Sequence, residues 1–183
     1  VTGTTNSSNF ETAPTPGRFN SGRLPYDRTF NGGNTDAFVV KFFSDGTLSK
    51  RDDGTYSTYF GGNGDDVGRG IFVDQSGRAV VVGTTTSTNL PTLSSYASQP
   101  IGRRDVFMAV FADDGRALAS CTYFGGTGDD DVLGVDNLNV TATGVIYGTT
   151  TSNDLPIFGA GAIADRVGTT DGFIAVLNTA ALV

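Results

Sequence analysis

Two short stretches carry most of the residues in this chain whose type and spacing could do chemistry. Gly61-Gly62-Asn63-Gly64-Asp65-Asp66 and Gly125-Gly126-Thr127-Gly128-Asp129-Asp130-Asp131 both open like the nonapeptide G-G-x-G-x-D, in which turn carbonyls and a carboxylate hold a hard cation. On that reading Asp65, Asp66, Asp129, Asp130 and Asp131 are candidate Ca2+ ligands. Calcium rolls place such nonapeptides in tandem, whereas these two lie 64 residues apart. A second reading therefore stands beside the first and requires no cofactor: glycine supplies unusual φ angles where the chain crosses between strands, and aspartate caps the exposed amides.

Other aspartates recur as well. Asp36, Asp105 and Asp171 open equivalent segments, and Asp74 and Asp136 close others. Paired carboxylates can serve glycoside hydrolysis. An active site is normally unique, however, and aspartates that repeat along the chain are expected at turns and strand edges, so the chain reads as a non-enzyme. The alternative is a glycan-active hydrolase or lyase whose catalytic groups lie mostly outside this segment. Histidine is absent, which removes a His general base, a Ser-His-Asp triad and His-ligated zinc or haem. The single cysteine, Cys121, can form neither an intrachain disulfide nor a thiolate cluster.

Recognition chemistry would sit in the long connections. Residues 11–34 mix prolines, aromatic rings and cations, with Arg18, Phe19, Arg23, Tyr26, Arg28 and Phe30 as candidate contacts, and a second connection offers Tyr96, Arg103 and Arg104. Glycans or surface proteins are the partners such loops suit. Nucleic acid is not expected, because a net charge of -7 repels phosphate. Membrane insertion is not expected either, since no stretch approaches the length of a spanning helix.

The elements that must position these residues follow from composition and repetition. Glu11 is the only glutamate among 19 acids, lysine occurs twice, and glycine occurs 26 times in 183 residues. Asp, Gly, Thr, Val and Phe suit turns and pleated strands better than helices, so an all-β chain is expected. VTGTTNSSNF from Val1, VVGTTTSTNLP from Val81 and IYGTTTSNDLP from Ile146 form one repeat family. Segments opening at Asp36, Asp105 and Asp171 form a second, and STYFGG from Ser57 and CTYFGG from Cys121 a third. All three agree on a period near 65 residues, lengthened in the first copy by an insertion within residues 11–34.

Each period divides into four strand-like runs, represented by Arg69 to Asp74, Ala79 to Thr85, Asp105 to Ala112 and Ala117 to Phe124, with Asp-Gly hairpin signals such as Asp114-Gly115. Along the third run, Phe107, Ala109 and Phe111 oppose Val106, Met108 and Val110, and the same alternation sets Phe38, Val40 and Phe42 against Ala37 and Val39. Both faces are apolar, so each four-stranded antiparallel sheet should lie between two neighbours, as blades do in a β-propeller.

The run from Thr58 to Pro91, TYFGGNGDDVGRGIFVDQSGRAVVVGTTTSTNLP, resembles the bacterial SBBP-type β-propeller repeat. That resemblance implies an exported module, extracellular or at the cell surface, acting as a structural or binding scaffold in adhesion, surface or filament assembly. About 2.5 to 3 blades and ten strands are expected: residues 1–60 a blade lacking its first strand, 61–124 a complete blade, and 125–183 a blade lacking its last strand. Ten strands do not close a ring. The expected partners are therefore other blades of a larger propeller or neighbouring subunits.

Overall fold

Runs of β-branched and aromatic residues punctuated by Gly and Asp leave a helix no stretch in which to nucleate. The computed structural model describes residues 1–13, 24–48, 54–139, 143–159 and 166–178, and among them there are ten strands and no helix. The strands form three antiparallel meanders. The first holds β1 (Thr2–Thr5), β2 (Asp36–Lys41) and β3 (Tyr56–Phe60). The second holds β4 (Asp66–Val73), β5 (Ala79–Thr85), β6 (Asp105–Phe111) and β7 (Leu118–Phe124). The third holds β8 (Asp130–Asn139), β9 (Thr143–Thr150) and β10 (Asp171–Asn178).

Local chemistry sets the hairpins. Between β4 and β5, Asp74 accepts hydrogen bonds from the Ser76 and Arg78 amides through Oδ1 and from Arg78 Nε through Oδ2, while Gly77 takes φ 79°. Between β6 and β7, Gly115 takes φ 68°, and its α-carbon lies so close to the Tyr56 ring that no side chain fits.

The sheets stack in chain order. Ala37, Val39, Tyr56 and Phe60 of the first sheet pack against Ala79, Val81, Phe107, Ala109 and Phe111 of the second. The opposite face of the second sheet, Val80, Val82, Val106, Met108 and Val110, packs against Val132, Ile146 and Phe173 of the third. The second sheet is thus buried on both sides, as its sequence required, and the three sheets form an open stack of propeller-like blades.

Two details depart from the sequence reading. The first run of the second sheet begins at Asp66 rather than Arg69, because a register shift between Gly68 and Gly70 lets the strand start earlier against β5. Gly70 also permits close packing on Val135 of β8; a β-carbon there would stand 2.9 Å from the Val135 amide nitrogen. Phe42 was expected to share its face with Phe38 and Val40, but β2 ends at Lys41 and Phe42 is 43% exposed, whereas its counterpart Phe111 is fully buried. The first sheet is shorter at that end, and among the described residues the ring is left partly open to solvent.

Candidate functional site

The two glycine-aspartate corners connect an outer strand to the first strand of the next sheet, and four successive amides at each corner need acceptors. Each finds a side chain. At the first corner the Gly62 amide donates to Asp66 Oδ2 (2.8 Å), Asn63 to Asn89 Oδ1 (2.7 Å), Gly64 to Ser87 Oγ (2.8 Å) and Asp65 to Thr86 Oγ1 (2.8 Å). The second corner repeats this arrangement, from Gly126 to Asp130, Thr127 to Asp154, Gly128 to Ser152 and Asp129 to Thr151. Three of the four acceptors at each corner come from the Thr-Thr-x-Ser-x-Asn/Asp segments at the ends of β5 and β9, and the fourth is the corner's own Asp66 or Asp130. Two repeat families noted separately in the sequence are therefore the two halves of one device.

Asp66 is wholly buried and also accepts from Thr85 Oγ1 (2.5 Å) and Ser87 Oγ (2.7 Å). Asp130 likewise accepts from Ser152 Oγ (2.8 Å). The remaining candidate cation ligands point elsewhere. Asp65 accepts from the amide and side chain of Asn34, which holds its carboxyl below the usual range. Asp129 pairs with Arg103 at 2.8 Å, and Asp131 with Arg104 at 2.8 Å. The five aspartates are thus spread over amide caps and ion pairs. Among the described residues, no group of three or more His, Cys, Asp or Glu side chains converges as metal ligands would.

A pairing that the sequence reading missed lies beside each corner. Asp36 at the start of β2 and Asp66 at the start of β4 face each other across Gly61; a β-carbon on that glycine would stand 2.8 Å from Asp36 Oδ1 and 2.8 Å from Asp66 Oδ2. Asp105 and Asp130 flank Gly125 in the same manner. Asp36 Oδ2 accepts from the Asn31 amide, but its Oδ1 is buried without a hydrogen-bond partner, as is Asp130 Oδ1. Burial, with the Asp66 charge as a smaller contribution, pushes the Asp36 carboxyl up to about 6. Burial also raises Asp66 and Asp105. Such pairs have the electrostatics of acid-base dyads, yet each of these four carboxylates is at most 1% exposed.

The loop candidates divide. Tyr26 packs edge-on against Phe111 at 5.7 Å, and its amide donates to the Gly115 carbonyl, so the loop is stapled onto the second sheet; burial raises the phenol to about 12. Phe30 packs edge-on to Tyr59. Arg28 is exposed. Tyr96 is exposed yet meets Phe158 of the third sheet's loop edge-on at 5.6 Å. Arg103 and Arg104 are drawn to the second corner as described. Arg18, Phe19 and Arg23 lie outside the described residues.

The outer strands hold a further motif. In Thr-Tyr-Phe-Gly-Gly of β3 and β7, the tyrosine hydroxyl closes the loop that leaves the neighbouring Gly-Thr-Thr strand. Tyr123 Oη accepts from the Leu90 amide (2.8 Å) and donates to the Ser87 carbonyl (3.0 Å). Tyr59 Oη accepts from the Phe10 amide (2.7 Å) and donates to the Ser7 carbonyl (2.6 Å). Beyond the tyrosine strand the loop returns along its outer side, with Leu93 bridging Cys121, Ala97 bridging Tyr123, and Ala13 bridging Ser57. Cys121, between these layers, is fully buried, and burial pushes its thiol up to about 12. Among the described residues β10 is the last strand of the third sheet, and a groove of about 840 Å³ is lined by residues of that strand together with Leu155, Ile157, Phe158 and Val167.

Residues 55–91 match the family model of the SBBP family, whose description is Beta-propeller repeat. The match runs from Thr55, just before β3, through the first corner and β4 to Pro91 after β5. The sequence repeat is therefore offset from the sheets, taking the outer strand of one and the inner two of the next. No curated protein matches the chain.

Proposed function

We propose that this chain is a structural or binding module of an exported, cell-surface or extracellular protein, a stack of propeller blades that works by docking further sheets and not by catalysis. The observation that carries the reading is the outward face of the third sheet. Asp171 aligns with Asp105, so Ile174 and Val176 are the counterparts of Met108 and Val110. The latter pair is 6% and 0% exposed beneath the third sheet, whereas Ile174 and Val176 are 76% and 65% exposed. Leu133 and Tyr147 are exposed as well. A β-branched face of this kind is built for burial against another sheet, as β6 is buried within the chain.

The partner that fits is a sheet presenting the Phe107-like face, in a neighbouring subunit or a further blade. A non-enzymatic role is supported by the fate of four of the acids: Asp36, Asp66, Asp105 and Asp130 are at most 1% exposed, and Arg103 and Arg104 beside the second corner are engaged in ion pairs. Placement outside the cell rests on the family resemblance alone.

Sedimentation of the chain over a wide concentration range tests the reading. Reversible association that is abolished in an Ile174→Asp/Val176→Asp variant with unchanged thermal stability is the expected result. A chain that stays monomeric into the millimolar range, or a variant that associates as the parent does, would remove the face as a docking surface.

A further inference from the structure

The chain holds two Asn-Gly steps, Asn31-Gly32 and Asn63-Gly64, and the fold brings them together at the seam between the first and second sheets. We infer that Asn31 is a self-modification site: cyclisation onto the Gly32 nitrogen turns its side-chain amide into a carboxylate and loosens that seam.

The chemistry needs only water. The Gly32 nitrogen gives its proton to the solvent and attacks Asn31 Cγ; the Cγ–Nδ2 bond breaks, and ammonia leaves after taking a proton back from water. The five-membered imide then adds one water at either carbonyl. The product is aspartate or, where the main chain now runs through the side-chain carbon, isoaspartate. An accessible asparagine, a free amide on the next residue and the absence of a β-carbon there favour the attack.

Both asparagines are exposed, but their hydrogen bonds differ. The Gly64 amide donates to Ser87 Oγ (2.8 Å), Asn63 Oδ1 accepts from the Thr88 amide (2.9 Å), and Asn63 Nδ2 donates to Thr88 Oγ1 (3.0 Å). The attacking and the attacked groups are thus both tied at Asn63. At Asn31 only the leaving nitrogen of the side chain is held, donating to Asp27 Oδ2 (2.7 Å) and, at 3.4 Å, to Asp36 Oδ2. Among the described residues, neither the Gly32 amide nor Asn31 Oδ1 makes a hydrogen bond.

The position is also singular among the repeats. The backbone amide that caps the strand-opening aspartate belongs to Ile101 in the second copy and Val167 in the third, and to an asparagine, Asn31, in the first. Packing dictates the glycine that follows it, since a β-carbon on Gly32 would stand 3.0 Å from Asn63 Cα. The same turn ties the two sheets: the Asn34 amide donates to Asp65 Oδ1, and the Asp66 amide donates to the Thr35 carbonyl (2.8 Å). A carboxylate at position 31 replaces a donor to Asp27 and Asp36 with a like charge. An isoaspartyl link adds one carbon to the backbone of a turn already in contact with the corner. Either product pulls on the bonds from Asn34 to Asp65 and from Asp66 to Thr35.

The intact chain is kept warm at mildly alkaline pH, and samples taken over time are mapped by peptide mass and by isoaspartyl labelling. Asn31 should show the amide-to-carboxylate mass change roughly tenfold faster than Asn63, whose hydrogen bonds must open before it can react. As Asn31 converts, hydrogen exchange at the Asp66 amide should quicken about tenfold, while the Asp130 amide, bonded to the Arg104 carbonyl at the second corner, keeps its protection. Asn31→Gln retains the amide but would have to close a less favourable six-membered ring, so it should show neither change after the same treatment. Absence of conversion at Asn31, equal conversion at Asn31 and Asn63, or conversion that leaves the Asp66 amide as protected as before would overturn the inference. The conversion rates are read on the parent chain alone and do not depend on the variant folding.

Discussion

The second and third sheets share a register, a corner and a pattern of apolar residues, yet one is closed and the other open. Val106, Met108 and Val110 of β6 face the third sheet and are buried; Gly172, Ile174 and Val176 of β10 hold the same places and face outward. Tyr123 closes the loop around Leu90, and the loop around Leu155 has no such closure among the described residues. Among the described residues, the second sheet's outward face is covered by the third sheet, and its loop is closed by the tyrosine of its own fourth strand, β7.

The comparison can be broken most forcefully at β6. Met108→Ala should cost about 2–5 kcal/mol in urea unfolding, the range for emptying a packed core site, while Ile174→Ala in the corresponding place should stay within about 0.5 kcal/mol. Equal losses would show that the third sheet's face is covered in solution. Tyr123→Phe removes one acceptor and one donor from a buried network and should cost about 1–3 kcal/mol, with hydrogen exchange at the Leu90 amide rising by a similar factor. Tyr147→Phe, on an exposed ring, should leave the unfolding midpoint in place.

A smaller effect comes from the carboxylate pairs, and its sign is opposite to that of ordinary acid denaturation. The Asp36 carboxyl is raised to about 6 in the folded chain from its ordinary value of 3.8, so the folded state holds its proton more tightly. The resulting stabilisation is full below about pH 4 and is lost as pH rises through about 6. Asp66 and Asp105 are raised in the same direction. The lowered carboxyls of Asp65, Asp129 and Asp154 act the other way, but only as pH falls below the usual carboxylate range. The melting temperature should therefore be higher near pH 5 than at pH 7.5, and Asp36→Asn should flatten that slope and be at least as stable as the parent at pH 7.5. A parent whose stability climbs steadily from pH 5 to 7.5 would contradict a buried, protonated Asp36.

The least effect is expected at the second corner's surface. Arg103→Ala should leave the melting temperature where it was, since that side chain is 83% exposed and salt screens its bond to Asp129. Calcium at millimolar concentration should shift it by less than about 1 °C, because the corner carboxylates already serve amides and arginines. A rise of several degrees would restore the cation reading.

Much of this could be read from the residues before any coordinates. Alternating apolar residues in Asp105 to Ala112 required a sheet covered on both sides, and β6 is buried along its whole length. The scarcity of Glu and Lys and the Asp-Gly pairs foretold strands and hairpins. The candidate site was less legible. The Gly-Gly-x-Gly-Asp-Asp corners and the Thr-Thr-x-Ser-x-Asn/Asp segments were visible as repeats, but their partnership joins residues more than 20 apart, and a local pattern does not reveal which amide meets which hydroxyl. Phe42 was misplaced because alternation gives a facing direction without saying where a strand stops.

The sequence by itself determined the all-β class, the 65-residue period and which side chains share a face, because these follow from the two-residue pleat and from backbone preferences at Gly and Asp. Only the tertiary structure decided that Asp36 and Asp66 confront each other across Gly61, that Tyr123 locks Leu90, and that Ile174 faces outward where Met108 does not. Those outcomes depend on which neighbouring sheet removes water from a given side chain. Burial of that kind is a property of pairs of elements, and one strand's sequence cannot state it alone.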